Sequence, residues 1–384
     1  MGMKVDVGVA SLSKHGEEVC GDSYQVIRSR DATTVILSDG LGSGIKASIL
    51  SLLSTKIASR LLERNINVEQ VFATIADTLP ICQTREIAYS TLSILKITDS
   101  GYAHLIEYDN PSLILIRNGQ RVKLDKEQKI IAGKKVSEVH FKLKLGDLLL
   151  VVSDGVINAG VGGLFHLGLG RERLVEHVTK YGLYKKDSLH VARDIIELTE
   201  ACYICKPGDD STCIALKLRE PRSVVVLTGP PTDPDLDGKV VKEFLKRNNS
   251  EKVVCGGATG NMVARELGED IETSLTYDDP SVPPLASIKG IDLVTEGILT
   301  LNKCLEKILQ LKKGQSIDEK KDGASLLART LFKADQIHFL VGTAVNPAHQ
   351  ELMQSLQLKP RPVIVNKLIK ELAELGKEIK IKRY

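Results

Sequence analysis

Short apolar runs separated by turn residues dominate the first half of the chain. Val5–Ala10, Thr33–Leu37, Ser90–Ile97, Leu113–Arg117, Leu148–Val152 and Thr212–Lys217 are bounded by Gly, Asp or Asn, a pattern that predicts β-strands. Two longer stretches carry a helical period instead. From Ile45 to Glu63 the residues Ile45, Ile49, Leu52, Leu53 and Ile57 recur on one face, and a second helical pattern runs from Leu189 to Tyr203. Strands grouped with few helices between them predict an α+β arrangement, largely antiparallel.

The pattern changes after Glu220-Pro221-Arg222, which reads as a linker. Strand, glycine-bearing turn and helix now alternate. Val224–Leu227 ends in Thr228-Gly229-Pro230, Val253–Cys255 in Gly256-Gly257-Ala258-Thr259-Gly260, Ile291–Val294 in Thr295-Glu296-Gly297, and Ile337–Val341 in Gly342-Thr343. Helical patterns follow at Asn261–Leu267 and Ile298–Leu311. This repetition predicts a smaller α/β domain with a mainly parallel, Rossmann-like sheet, so the expected division is 1–219 and 220–384. The charged stretch Lys312–Asp322 reads as a solvated loop.

Composition narrows the function classes. A chain of 384 residues is too long for one comfortable core, and 42% hydrophobic with 26% charged residues is an ordinary globular balance. With 52 basic against 49 acidic side chains, 4% aromatics and no Trp, neither a basic footprint nor a stacking platform points to nucleic acid. No apolar run has membrane-spanning length, and the Lys- and Asp-containing start lacks the apolar core of a signal peptide. The seven scattered cysteines fit reduced thiols, and the Cys202/Cys205 pair lacks the companions of a tetrahedral metal site. A cytoplasmic location without membrane or nucleic-acid partners is expected. The eight histidines show no metal-like spacing.

The chemistry concentrates in acidic segments at strand ends: Cys20-Gly21-Asp22-Ser23, Ser38-Asp39-Gly40-Leu41-Gly42-Ser43-Gly44, Ser153-Asp154-Gly155-Val156 and Gly208-Asp209-Asp210-Ser211-Thr212. One Asp-Gly alone is a common turn. Several carboxylates brought together repel one another unless cations neutralise them, and hard ions such as Mg²⁺ or Mn²⁺ prefer such oxygen ligands. A glycine after the aspartate lets the backbone approach closely, so that its carbonyl can also serve as a ligand.

These segments, in this order, resemble the PPM-type serine/threonine phosphatases, in particular the SpoIIE-like bacterial branch. The resemblance runs from Val7-Gly8-Val9-Ala10-Ser11, Lys14-His15-Gly16-Glu17 and Gly21-Asp22-Ser23-Tyr24, through the Asp39 segment and Gly146–Gly155, to Asp209-Asp210-Ser211-Thr212. It implies two stacked antiparallel sheets flanked by helices, with metals at one end of the sandwich. It also implies that Asp39 bridges two Mn²⁺ or Mg²⁺ ions and Gly40 lends its carbonyl. Asp154 and Asp209 would hold one ion, and Asp22 would bind directly, through water, or at a third ion. Motif register prefers Asp209, with the adjacent Asp210 as the alternative. The implied activity is hydrolysis of phosphoserine or phosphothreonine by a metal-activated water, with Asp39, Asp154 and Asp22 as the catalytic set. The implied partner is a phosphorylated regulatory protein, such as an antagonist of an anti-sigma factor, and the helix opening at Gly44 resembles the branch's regulatory element.

Two departures favour an alternative, a phosphatase-like signalling module with little or no turnover. Asp109-Asn110-Pro111-Ser112 replaces the branch's usual Gly-His-Pro-Pro turn, and Leu41 stands where the eukaryotic branch has a histidine acid. No family resemblance covers the second half. There, Gly256–Gly260 is a candidate anion cradle at a strand-to-helix turn, which makes that domain a candidate sensor of a small anionic ligand or itself catalytic on a phosphorylated metabolite.

Overall fold

The computed structural model describes residues 2–29, 31–78, 90–273, 283–315, 317, 321–344 and 359–384. The chain divides into two compact units, Met1–Glu220 and Pro221–Tyr384. Among the described residues no helix is long and apolar enough to cross a membrane.

The first unit runs β1 (Lys4–Leu12), β2 (Asp22–Arg28), β3 (Ala32–Asp39), α1 (Gly44–Glu63), α2 (Val68–Thr78), β4 (Leu92–Thr98), β5 (Tyr102–Tyr108), β6 (Ile114–Arg117), β7 (Gln120–Val122), β8 (Glu127–Ile131), β9 (Lys134–Lys142), β10 (Leu148–Val152), α3 (Asp154–Ile157), α4 (Gly170–Lys180), α5 (Ser188–Cys202) and β11 (Ser211–Arg219). Its strands form two antiparallel sheets, ordered β1-β11-β10-β6-β7 and β2-β3-β4-β5-β9-β8. The sheets stack through one apolar layer that takes Leu149, Val151, Ile214 and Leu216 from the first and Val35, Leu37, Leu95 and Leu105 from the second. Alternation of side chains across a strand leaves each sheet a second apolar face. Helices α4 and α5 cover one such face and α1 and α2 the other. This is the expected sandwich flanked by helices.

Helix α1 departs from what its pattern suggests. Its apolar stripe points outward, with Ile45, Ile49, Leu52 and Leu53 exposed, while Ala47, Ser51, Ser54, Thr55 and Ala58 are buried. The buried face is polar because it meets a hydroxyl cluster: Ser54 Oγ lies 2.7 Å from Ser90 Oγ, which lies 2.9 Å from Ser38 Oγ, and Thr55 Oγ1 is 3.0 Å from Ser23 Oγ. Small side chains let the helix backbone approach β3 so closely that a Cβ on Gly40 would fall 2.0 Å from the Ala47 carbonyl oxygen.

The second unit runs β12 (Ser223–Thr228), α6 (Asp237–Leu245), β13 (Ser250–Cys255), α7 (Gly257–Leu267), β14 (Glu272–Thr273), β15 (Ala286–Ser287), β16 (Leu293–Thr295), α8 (Ile298–Lys312), α9 (Gly323–Lys333), β17 (Gln336–Val341), α10 (Arg361–Glu374) and β18 (Glu378–Arg383). Its sheet is mixed rather than wholly parallel. Strands β16-β13-β12-β17-β18 are parallel, and the short β14 and β15 add antiparallel at the β16 edge. Helices α8, α9 and α10 pack on one face and α6 and α7 on the other. The expected loop Lys312–Asp322 falls partly outside the described residues, at 316 and 318–320.

Candidate active site

The first unit's acidic segments converge because the sheets bring strand ends together. Antiparallel pairing of β2 and β3 sets Asp22 opposite Asp39. Asp154 follows β10 and Asp209 precedes β11, and these two strands pair directly. A Cβ on Gly155 would lie 2.1 Å from the Asp210 carbonyl oxygen, so a glycine after Asp154 is what lets the two loops close on each other.

Electrostatics register the crowding. Burial pushes the Asp39 carboxyl up to about 9, with Asp22, Asp154 and Asp209 adding to the rise, and Asp154 stands within hydrogen-bond reach of its protonated form. Asp22 is pushed up to about 7 by burial, partly offset by the Ser153 hydroxyl. Asp209 is raised by burial and by Asp154. Asp22 Oδ1 and Asp154 Oδ1 are buried with no hydrogen-bond partner. Orphaned carboxylate oxygens are costly, and the mutual repulsion adds to that cost. A hard divalent cation would relieve both, so the donor set of Asp22, Asp39, Asp154 and Asp209 fits Mg²⁺ or Mn²⁺.

The adjacent acids of the last segment are turned differently. Asp210 is buried and accepts the Lys14 backbone N–H at 3.0 Å, and a Cβ on Gly21 would lie 2.8 Å from its Oδ2. Asp209 lies in the field of Asp39 and Asp154, whereas Asp210 acts on Asp22. His15, exposed, has its backbone N–H bonded to the Pro207 carbonyl at 2.8 Å.

Several residues whose partners the sequence does not show brace these acidic segments. Ser153 Oγ donates to Asp22 Oδ2 at 2.7 Å and accepts the Thr212 N–H at 2.8 Å. Thr91 Oγ1 accepts the Asp39 N–H at 3.0 Å and donates to Asn110 Oδ1 at 2.7 Å, while Asn110 Nδ2 donates to Ser93 Oγ at 3.0 Å. The departing turn Asp109-Asn110-Pro111-Ser112 therefore props up the end of β3. Tyr203 OH donates to the Gly155 carbonyl at 2.8 Å. Of the CxxC pair, Cys202 is buried and Cys205 exposed, both as free thiols.

A second group of side chains that could ligate a metal escapes the histidine spacing because it forms across strands: His104 on β5 with Glu138 and His140 on β9. His104 Nε2 is 2.5 Å from Glu138 Oε1, the two imidazoles stack at 4.0 Å, and Lys129 Nζ is 2.5 Å from Glu138 Oε2. Lysine already neutralises that carboxylate, and the group belongs to a different part of the β2–β8 sheet from Asp39.

Residues 29–219 match the family described as Stage II sporulation protein E (SpoIIE). The stage II sporulation protein E of Bacillus subtilis (strain 168) is 34% identical over 159 residues, which make up 40% of this chain and 19% of that protein. Its counterpart from Priestia megaterium is 26% identical over 230 residues, 56% of this chain and 36% of that protein. The matches thus span well under half the length of these relatives. A solved structure of the PP2C phosphatase domain and a fragment of the regulatory domain of SpoIIE from Bacillus subtilis has a TM-score of 0.49 at 26% identity, covering 56% of this chain and 63% of that one. With its ordered aspartates and stacked antiparallel sheets, the first unit of this chain is a SpoIIE-like phosphatase domain of the PPM type.

Proposed function

We propose that the chain is a cytoplasmic, Mn²⁺- or Mg²⁺-dependent protein phosphatase that hydrolyses phosphoserine or phosphothreonine on a bacterial regulatory protein, such as an antagonist of an anti-sigma factor. The observation that carries this reading is the convergence of Asp22, Asp39, Asp154 and Asp209, with one buried oxygen each of Asp22 and Asp154 left unpartnered. Asp39, Asp154, Asp209 and the Gly40 carbonyl would hold two ions, with Asp22 at a water or a third ion. When bound, the ions supply charge neutralisation for a phosphoryl group and a more acidic water.

The chain's own groups do the positioning. Ser153 fixes the Asp22 carboxylate, and the Thr91–Asn110 pair fixes the backbone at Asp39. Because position 41 is Leu, the leaving serine or threonine oxygen takes its proton from water or from the substrate. The altered turn at Asn110 still braces the end of β3, which supports the active reading, and Leu41 is the departure left to motivate a module with little turnover. The second unit has the accessory role, as a sensor or partner-binding element.

The test is Mn²⁺-dependent phosphate release from a phosphoserine protein and from an aryl phosphate. Asp39→Asn and Asp154→Asn should each lower turnover by at least about a hundredfold. Full activity in both variants would remove the assignment.

A further inference from the structure

The parallel strands of the second unit run in the order β16-β13-β12-β17-β18, so the chain steps outward on one side of β12 and then crosses to the other. In open sheets of this kind, the crevice outside the carboxyl ends of the strands at such a reversal is where ligands bind. The last residues of these strands form one row, Thr295, Cys255, Thr228 and Val341. Along β12, Val224 and Val226 face the core under α8, α9 and α10, so Thr228 faces that side too.

Around this row the polar groups are left incomplete. Thr228 is fully buried and its Oγ1 has no hydrogen-bond partner. The same is true of Thr300 Oγ1, in the first turn of α8. Arg361 Nε and Glu296 Oε2 are also buried without partners. Arg361 and Glu296 lie in each other's field, and both act on the Cys255 thiol of the row. Arg361 reaches this edge because residue 229 is glycine: at φ 81° it takes a conformation L side chains avoid, and a Cβ there would fall 2.3 Å from Arg361 Nη1. A half-buried guanidinium and a half-buried carboxylate that each keep one inaccessible atom unpartnered, Arg361 Nη1 being spent on the Ala344 carbonyl, are costly unless something fits between them.

The helix starts supply further donors. Helices α7 and α8 start directly after Gly256 and Gly297, and a Cβ on Gly297 would lie 3.2 Å from the Gly256 Cα, so the two N-termini abut. Neither is capped by a side chain or carries an acidic residue in its first turn, and the same holds for α10 at Arg361. Helix α9, by contrast, is capped by Asp322 through the Ser325 N–H. Beside Gly257 a Cβ would meet nothing within 4 Å.

We propose that this carboxyl edge is a binding site for a small phosphate monoester bearing a neighbouring hydroxyl, the chemistry shared by nucleoside monophosphates and sugar phosphates. Uncapped helix N–H groups, the two threonine hydroxyls and Arg361 Nε all can donate to an anion with several lone pairs. Glu296 Oε2 can only accept, so the ligand must also bring a hydroxyl donor. A bare anion satisfies the donors but leaves Glu296 facing like charge. The site is independent of the phosphatase reading, because every group in it belongs to the second unit.

The test uses the full chain with EDTA, so that no divalent ion offers phosphate a place in the first unit. Calorimetric titration with AMP, ribose 5-phosphate and inorganic phosphate should show at least one ester binding one to one, at least about tenfold tighter than phosphate. Binding of AMP alone would mark a nucleotide site, and binding of both esters a sugar-phosphate site. Arg361→Met should weaken every probe, and Glu296→Gln should weaken the esters while leaving phosphate no weaker, or tighter, since it removes the like charge. Thr228→Val, close in shape, should weaken the esters without unfolding the unit, as circular dichroism checks. No binding of any probe at millimolar concentration, phosphate as tight as the esters, or unchanged ester binding in all three variants would each overturn the proposal.

Discussion

At the scale of single residues, the aspartate cluster sets function against stability. The Asp39 carboxyl is pushed up to about 9 from an ordinary 3.8, chiefly by burial and then by its acidic neighbours. A carboxyl raised in the folded state favours folding only while it is protonated, so its ionisation costs stability increasingly as pH climbs from 3.8 towards 9. Asp39→Asn removes that cost. In EDTA it should raise the melting temperature by several degrees, on the order of 1–2 kcal/mol, more at pH 8 than at pH 5, while losing stabilisation by Mn²⁺. A metal-free variant that melts below wild type at pH 8 would contradict the repulsion argument. Ser153→Ala should do the reverse, costing about 1–3 kcal/mol because it strands both Asp22 Oδ2 and the Thr212 N–H; chemical denaturation measures it. The aspartates were legible in the sequence because each sits in a short local motif. Ser153 lay inside one of those motifs, but its bond to Asp22, like those of Thr91 and Asn110 to the end of β3, joins segments far apart in the chain. Only the folded pairing reveals such partners.

At the scale of elements, buried apolar strands announced themselves and half-polar ones did not. Leu148–Val152 is a strand over the span its composition suggests because all five side chains are buried. Strand β2, Asp-Ser-Tyr-Gln-Val-Ile-Arg, has no fully buried position, and β8 and β9 are broken up by lysine and glutamate, so none offers an apolar run. Helix α1 was legible as a helix, but its orientation was not, since periodicity locates a stripe without saying what covers it. Here backbone proximity to Gly40 won over burial of Ile and Leu. Gly40→Ala should therefore displace α1, costing more than about 2 kcal/mol and weakening Mn²⁺ stabilisation. Ile49→Ser, on the exposed stripe, should change stability by less than about 0.5 kcal/mol. Thermal unfolding of the two variants with and without Mn²⁺ checks both; a severe loss from Ile49→Ser would show that the stripe is covered.

At the scale of the whole molecule, the change in pattern after Glu220 corresponds to a change in architecture, from antiparallel sheets to a mostly parallel one. The antiparallel edge was not foreseen, because β14 and β15 are two residues each and too short to carry a period. Among the described residues, the layer between the two sheets and the layers beneath α1/α2 and α4/α5 are made of residues before 220, and those of the parallel sheet of residues after it. Independent cores of this size imply independent folding. Fragments 1–220 and 221–384 should each give a cooperative thermal transition. Mn²⁺ should raise the first fragment's transition and leave the second's unchanged, because the acidic cluster lies wholly in the first, and a ligand stabilises only what it binds. A first fragment without cooperative unfolding would mean that its sandwich needs the parallel unit. An Mn²⁺ response in the second would mean that the divalent site is not the one the four aspartates form.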